Sequence, residues 1–296
     1  MNKRRIGEGT PARFDQKNTV YSRARWDPSL QELGRIHYGV RRFGDRPGYT
    51  LKDWAFSAAA WYLEREFGKG NAGGNFGLFE WDLDPDKIAQ LHRIAPGQRW
   101  VVSDPAKMSH DIKKVARFLG ASLVGICKLD RRWLYSHRFH PLTFEHSPIE
   151  IPPEFEYAIV MVHEMKYELL RMSPAYPGYT ATGRGYSMMA FVASSLAHFI
   201  RCLGYRAIPC GNDTALSIPL AIDAGLGELG RNGLLITKEY GPRVRLSKVF
   251  TDLPLVSDKP IEFGVRDFCD LCRRCAEECP CLLYTSDAAD EGLGVD

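Results

Sequence analysis

Four cysteines set as Cys269-x2-Cys272-x2-Cys275-x3-Cys279-Pro280 are the residues whose spacing alone points to a chemistry. Three closely set thiolates can wrap one corner of an iron–sulfur cubane, while the fourth, followed by a chain-reversing proline, points away and normally ligates a second cluster. One such run is half of a two-cluster module, and clusters of this kind pass electrons one at a time. Zinc is the weaker alternative, because zinc sites usually show two separated C-x2-C pairs. A disulfide framework is weaker still, since eight cysteines in 296 residues do not make a small stapled scaffold.

The elements that must position this run are readable from periodicity. Trp54, Ala58, Trp61, Tyr62 and Phe67 recur at helical spacing and predict a helix from Asp53 through Phe67, stopped by the glycines that follow. A helix is expected between Asp104 and Gly120, then strands at Ser122–Ile126 and Tyr157–Val162, the latter after the turn signal Pro152-Pro153. The run Tyr186–Leu203 contains no Gly or Pro, and Gly204 falls where a helix C-cap would sit. A strand near Arg206–Ile208, a helix over Pro219–Gly225 and paired β segments at Leu234–Thr237 and Arg243–Phe250 complete an α+β order. Residues 1–50 carry weak periodicity and read as an irregular covering arm.

Several function classes drop out. The formal net charge of +3 is small for the length, and no long Lys/Arg run marks a nucleic-acid surface. No stretch of about eighteen uninterrupted apolar residues predicts a membrane-spanning helix. Arg4-Arg5 is not followed by an apolar export segment. Gly70–Gly74 lacks the Gly-Lys-Ser/Thr ending of a phosphate loop and reads as a turn. His137 and His140 are the close histidine pair; on a helix they could bind a metal, but no third ligand is evident beside them and they read as structural. A plain ferredoxin-type carrier would not need the long segment that precedes Cys269.

Beyond these readings, the chain resembles the corrinoid and iron–sulfur dependent reductive dehalogenases. The resemblance rests on Gly183–Met189, Leu203–Ile208, Ala215–Ile222, Ala224–Thr237, Tyr240–Arg245 and Lys248–Leu255, with Arg13–Thr19 and Ala24–Pro28 resembling the start of the mature enzymes. It implies a nitroreductase-like core (106–262) holding a base-off cobamide, an amino-terminal arm and covering region (1–105), and the first half of a ferredoxin-like module for two [4Fe-4S] clusters (263–280). Cys269, Cys272 and Cys275 would bind one cluster, with Cys279 reaching for the other, which is incomplete in this chain. The implied catalytic residues are Tyr186, Asn212 and Arg245: a phenol as proton donor, an arginine that stabilises the tyrosinate, and an amide that fixes the hydroxyl or the substrate.

The implied partners are an organohalide, a low-potential electron donor and a small membrane-anchor subunit, with no nucleic acid. The resemblance implies an exported, membrane-associated enzyme, whereas a chain starting at Met1 without a signal would be cytoplasmic. The corrinoid-related alternative, an epoxyqueuosine-reductase-like enzyme, would be expected to use an acidic proton donor and a basic surface. Residues 281–296 begin with a run that looks like translated sequencing adapter. Cys281 is therefore not counted as a ligand, the chain is expected to be cut after Pro280, and such a fragment is expected to be inactive.

Overall fold

Asp15, Thr19 and Asp27 each place an acceptor ahead of a short helical segment, receiving the backbone N–H of Lys17, Ser22 and Ser29. Helices α1 (Val20–Trp26) and α2 (Gln31–Tyr38) therefore form where weak periodicity predicts an irregular arm. The computed structural model describes residues 12–38, 40–68, 78–79, 81, 84–95, 97–140 and 143–278. Gly70–Gly74, Cys279 and the 281–296 tail lie outside them.

Helix α3 (Leu51–Tyr62) starts with a capping box, in which Thr50 Oγ1 accepts from the Asp53 N–H and the Asp53 carboxylate accepts from the Thr50 N–H. It runs into a wider π turn at Leu63–Gly68. Next come α4 (Pro85–Leu91), α5 (Pro105–Phe118), β1 (Leu123–Lys128), the hairpin of β2 (His137–Phe139) and β3 (His146–Pro148), β4 (Tyr157–Glu164), α6 (Tyr167–Leu170) and α7 (Tyr176–Cys202). The order closes with β5 (Ala207–Cys210), α8 (Ser217–Asp223), β6 (Glu228–Leu229), β7 (Leu235–Ile236), β8 (Val244–Thr251), α9 (Val265–Cys272) and α10 (Arg274–Glu277).

The central sheet has the order β1-β4-β8-β5, antiparallel at every pairing. Both faces are covered, so its strands read as apolar runs and not as alternations. Ala158, Val160 and Val162 pack with Ile208, Leu220 and Phe250 on the α8 side. Ile159 and Met161 pack with Ile112, Leu196, Ile200 and Val249 on the side of α5 and α7. Leu196 is fully buried, and truncating such a side chain to alanine costs about 2–5 kcal/mol.

Two expectations need correction. Helix α7 begins at Tyr176, ten residues before Tyr186, so Tyr186 is an interior helix residue. The glycines that read as a boundary are inside it because neighbours approach closely. A Cβ on Gly183 would lie 2.2 Å from the Trp61 ring, and one on Gly185 would lie 2.9 Å from Arg245 Cγ. The segments at 234–237 and 243–250 do not form one β pair either: β7 pairs with β6, whereas β8 lies between β4 and β5. The hairpin-like signal reflected only the short bridge Thr237↔Gly241.

Candidate active site

Tyr186 is held from three sides. Its ring stacks on Trp61 of α3, centroids 4.8 Å apart and planes 23° from parallel, while Trp61 Nε1 donates to the Tyr179 carbonyl one α7 stretch away. Ser187 Oγ donates to the Ala60 carbonyl at 2.7 Å, locking α3 against α7. On the opposite side Arg245 of β8 crosses the helix at Gly185 and brings its guanidinium carbon 4.8 Å from the Tyr186 ring centroid. Finally Asn212, in the turn after β5, donates from Nδ2 to the Tyr186 hydroxyl oxygen at 2.7 Å.

The structure thus brings together Tyr186, Asn212 and Arg245, 59 residues apart at the extremes, and supplies reasons for each position. Asn212 is exposed, which leaves the hydroxyl it holds reachable from solvent. Because the amide donates to the phenol oxygen, the phenol proton is not spent in that bond. Burial raises the Tyr186 pKa above its ordinary value; the Arg245 charge and the Asn212 hydrogen bond oppose the rise without reversing it. The expectation that arginine would make the phenol more acidic is right in sign for Arg245 but is outweighed by desolvation. The phenol is therefore protonated at neutral pH.

Other contributors carry no sequence signal. Lys248 on β8 is fully buried; its Nζ donates to the Gly211 carbonyl at 2.5 Å and to Ser217 Oγ at 3.0 Å. It fixes the residue just before Asn212. Burial lowers its pKa, with Cys210 and Asp213 opposing. The Tyr135 hydroxyl donates to the Asn212 carbonyl at 3.4 Å. His163 of β4 sits opposite Arg245 in the sheet register and is almost fully buried. Nδ1 of His163 and Nε of Arg245 are buried without a hydrogen-bond partner among the described residues. Nothing in the mixed sequence of β8, which also holds Arg245, Ser247 and Thr251, marks Lys248.

Cys269 and Cys272 lie one turn apart on α9, and Arg273, left-handed at φ 52°, breaks the helix so that Cys275 follows on α10. None of the three is in a disulfide. The segment is anchored by the glycine-rich block: Arg231 pairs with Asp270 at 2.7 Å, and the Glu228 carboxylate accepts from the Phe263 N–H at 2.5 Å. Cys279, the remaining predicted ligand, lies outside the described residues.

His137 and His140 do not form a pair. His140 instead accepts from the Thr143 N–H, and His137, on a strand and not a helix, faces His146. No helix among the described residues is long and apolar enough to cross a membrane.

No protein-family model matches the chain. It is 36% identical to the tetrachloroethene reductive dehalogenase of Dehalobacter restrictus, over 95% of this chain and 59% of that protein; the chain thus spans about three-fifths of that relative's length. A solved B12-dependent reductive dehalogenase superposes with a TM-score of 0.56 at 33% identity, over 63% of this chain and 27% of the other. A catabolic reductive dehalogenase in complex with 3-bromo-4-hydroxybenzoic acid superposes with a TM-score of 0.64 at 26% identity, over 92% of this chain and 35% of the other. The match to the epoxyqueuosine reductase of Lactococcus garvieae, 40% identical, is confined to 24% of this chain and 19% of that one.

Proposed function

The chain is a homologue of the reductive dehalogenases, and from that premise we propose that it replaces a carbon–halogen bond with a carbon–hydrogen bond, with Tyr186 as proton donor. The reaction consumes two electrons and one proton and releases halide. The observation that carries the reading is the 2.7 Å hydrogen bond from Asn212 Nδ2 to the Tyr186 oxygen, which orients a protonated phenol while leaving its proton free.

Each residue then has one task. Tyr186 keeps its proton on Oη until a carbon carrying developing negative charge comes within reach, because burial disfavours the tyrosinate. Asn212 holds that oxygen in place and stabilises the charge left on it after transfer. Arg245, 4.8 Å from the ring, lowers the energy of the tyrosinate once it forms. Trp61 and the close helix contact at Gly183 exclude water from the ring face.

A B12-type corrinoid, as in the solved homologue, fits this setting, where the exposed Asn212 stands beside the Tyr186 hydroxyl. Bound there, the cobamide would supply the low-potential metal chemistry that breaks the carbon–halogen bond. Cys269, Cys272 and Cys275, with Cys279, would hold iron–sulfur clusters that deliver the electrons. An organohalide and a low-potential donor are the implied partners, and an exported, membrane-associated setting fits the homology.

The test is halide release. The protein completed with a second cysteine run, reconstituted with cobamide and iron and sulfide and then supplied with a chloroethene or a halophenol and reduced viologen, is expected to release halide in proportion to viologen oxidised. Cofactor uptake without halide release from either substrate class would contradict the reading.

A further inference from the structure

The run Arg13–Thr19 takes no part in the site above, yet it is fixed at several points. The Arg13 guanidinium donates to the carbonyls of Leu134, Tyr135 and Ile149. The Ser136 N–H donates to the Phe14 carbonyl at 2.7 Å, and the Phe139 N–H donates to Gln16 Oε1 at 3.3 Å. Asp15, between two pinned neighbours, is held against the β2–β3 hairpin.

There it meets one histidine from each strand. His146 Nε2 lies 2.9 Å from Asp15 Oδ2 and 3.1 Å from Oδ1, and His137 Nδ1 lies 3.9 Å from Oδ2. The register places His146 opposite Phe139, two residues from His137, so both imidazoles share one face of the hairpin. Their ring centroids are 4.7 Å apart, and one donor atom from each of the three residues lies within 4.8 Å of the other two.

We propose that Asp15, His137 and His146 form a binding site for one divalent first-row transition ion such as Fe(II), Mn(II) or Zn(II). Two imidazoles and one carboxylate are a donor set that suits these ions and leaves further positions for water. With bonds of about 2.0–2.2 Å, neighbouring donors stand roughly 3 Å apart. The His146–Asp15 pair is already at that separation. His137 must approach by about 1 Å, giving up its 3.1 Å contact with Ser136 Oγ, and its half-exposed side chain has room to do so. The hydrogen bond to the carboxylate accounts for His146; the second imidazole, its ring tilted 32° to the first, brings a third donor atom to the same point. The ion would clasp residues 13–19 to the hairpin next to Tyr135, whose hydroxyl donates to the Asn212 carbonyl.

Cobalt(II) is the probe, titrated into the metal-stripped full chain carrying Cys269→Ser, Cys272→Ser, Cys275→Ser and Cys279→Ser so that the cluster thiolates do not compete. The site predicts one equivalent of cobalt with visible d–d bands. That equivalent disappears in His137→Ala/His146→Ala, and its affinity falls at least about tenfold in His146→Gln, with far-ultraviolet dichroism unchanged. Proteolysis between residues 12 and 20 should slow on cobalt addition in the parent and not in His146→Gln, which reports the site even if the double variant is unstable. Equal cobalt binding in parent and variants overturns the proposal. So does cobalt bound only with a thiolate charge-transfer band, which would assign it to His92, His198 and Cys202, or no binding at all.

Discussion

Asn212 Nδ2 donates to the Tyr186 hydroxyl oxygen at 2.7 Å, while the ring of the same phenol stacks on Trp61. The amide and the Arg245 charge both favour the tyrosinate, whereas burial, the larger influence, disfavours it. Tyr186 is expected to titrate above the ordinary tyrosine range of about 10, read as tyrosinate absorbance lost in Tyr186→Phe. Asn212→Leu and Arg245→Met should each move that titration further up. A downward move in either variant would mean that the opposing influences are assigned the wrong sign.

Gly183 decides how closely α3 and α7 approach. Alanine gains about 1 kcal/mol of helix propensity, but its Cβ would sit 2.2 Å from a Trp61 ring atom, and overpacking of this kind costs typically about 1–3 kcal/mol. Gly183→Ala should therefore lower stability in urea unfolding and shift tryptophan fluorescence. A stabilised Gly183→Ala would show that Trp61 can give way freely.

His163 links stability to pH. Burial, and then the Arg184 charge, push its pKa down to about 3. An unfolded histidine binds a proton below about pH 6.5, while the folded chain refuses one until about pH 3, so stability falls as pH drops through that window, by at most ~1.4 kcal/mol per pH unit. Urea unfolding from pH 7 to 4 should show this slope, and it should flatten in His163→Gln. An unchanged slope would place the acid sensitivity elsewhere.

Lys248 is a positioning residue. Lys248→Met leaves the Gly211 carbonyl and Ser217 Oγ without their donor, each a penalty of about 1–3 kcal/mol, partly offset by removing a buried ammonium. Beyond the stability loss, the Tyr186 titration should shift upward as it does in Asn212→Leu. Stability loss with an unmoved Tyr186 titration would reduce Lys248 to a packing role.

What the sequence made legible followed periodicity and local spacing. The apolar stripes of α5 and α7 and the runs of β1 and β4 were readable because each signal is contained within one element, and the cysteine run because its spacing is local in the sequence. The first ten residues of α7 were not, because Gly183 and Gly185 serve contacts with Trp61 and Arg245 that lie far away in the chain. The amino-terminal helices are only seven and eight residues long, too short for their periodicity to stand out in the sequence. The Tyr186–Asn212–Arg245 trio came from resemblance, since nothing local distinguishes a helix tyrosine, a turn asparagine and a strand arginine. The partner of His137 was missed because His146 becomes its neighbour only through hairpin register.

The central claim is that Tyr186 gives the proton, and halide release by Tyr186→Phe tests it most directly. Parent and variant, each completed with a second cysteine run, are reconstituted identically with cobamide and clusters, and cofactor content is measured in each. The phenylalanine keeps the Trp61 stack and removes only the hydroxyl that Asn212 holds. The expected result is equal cobamide content with halide release reduced by about 100-fold or more, the usual worth of a positioned proton donor. Halide release within about twofold of the parent at equal cofactor content would contradict the account, because proton transfer of that value would then come from another group.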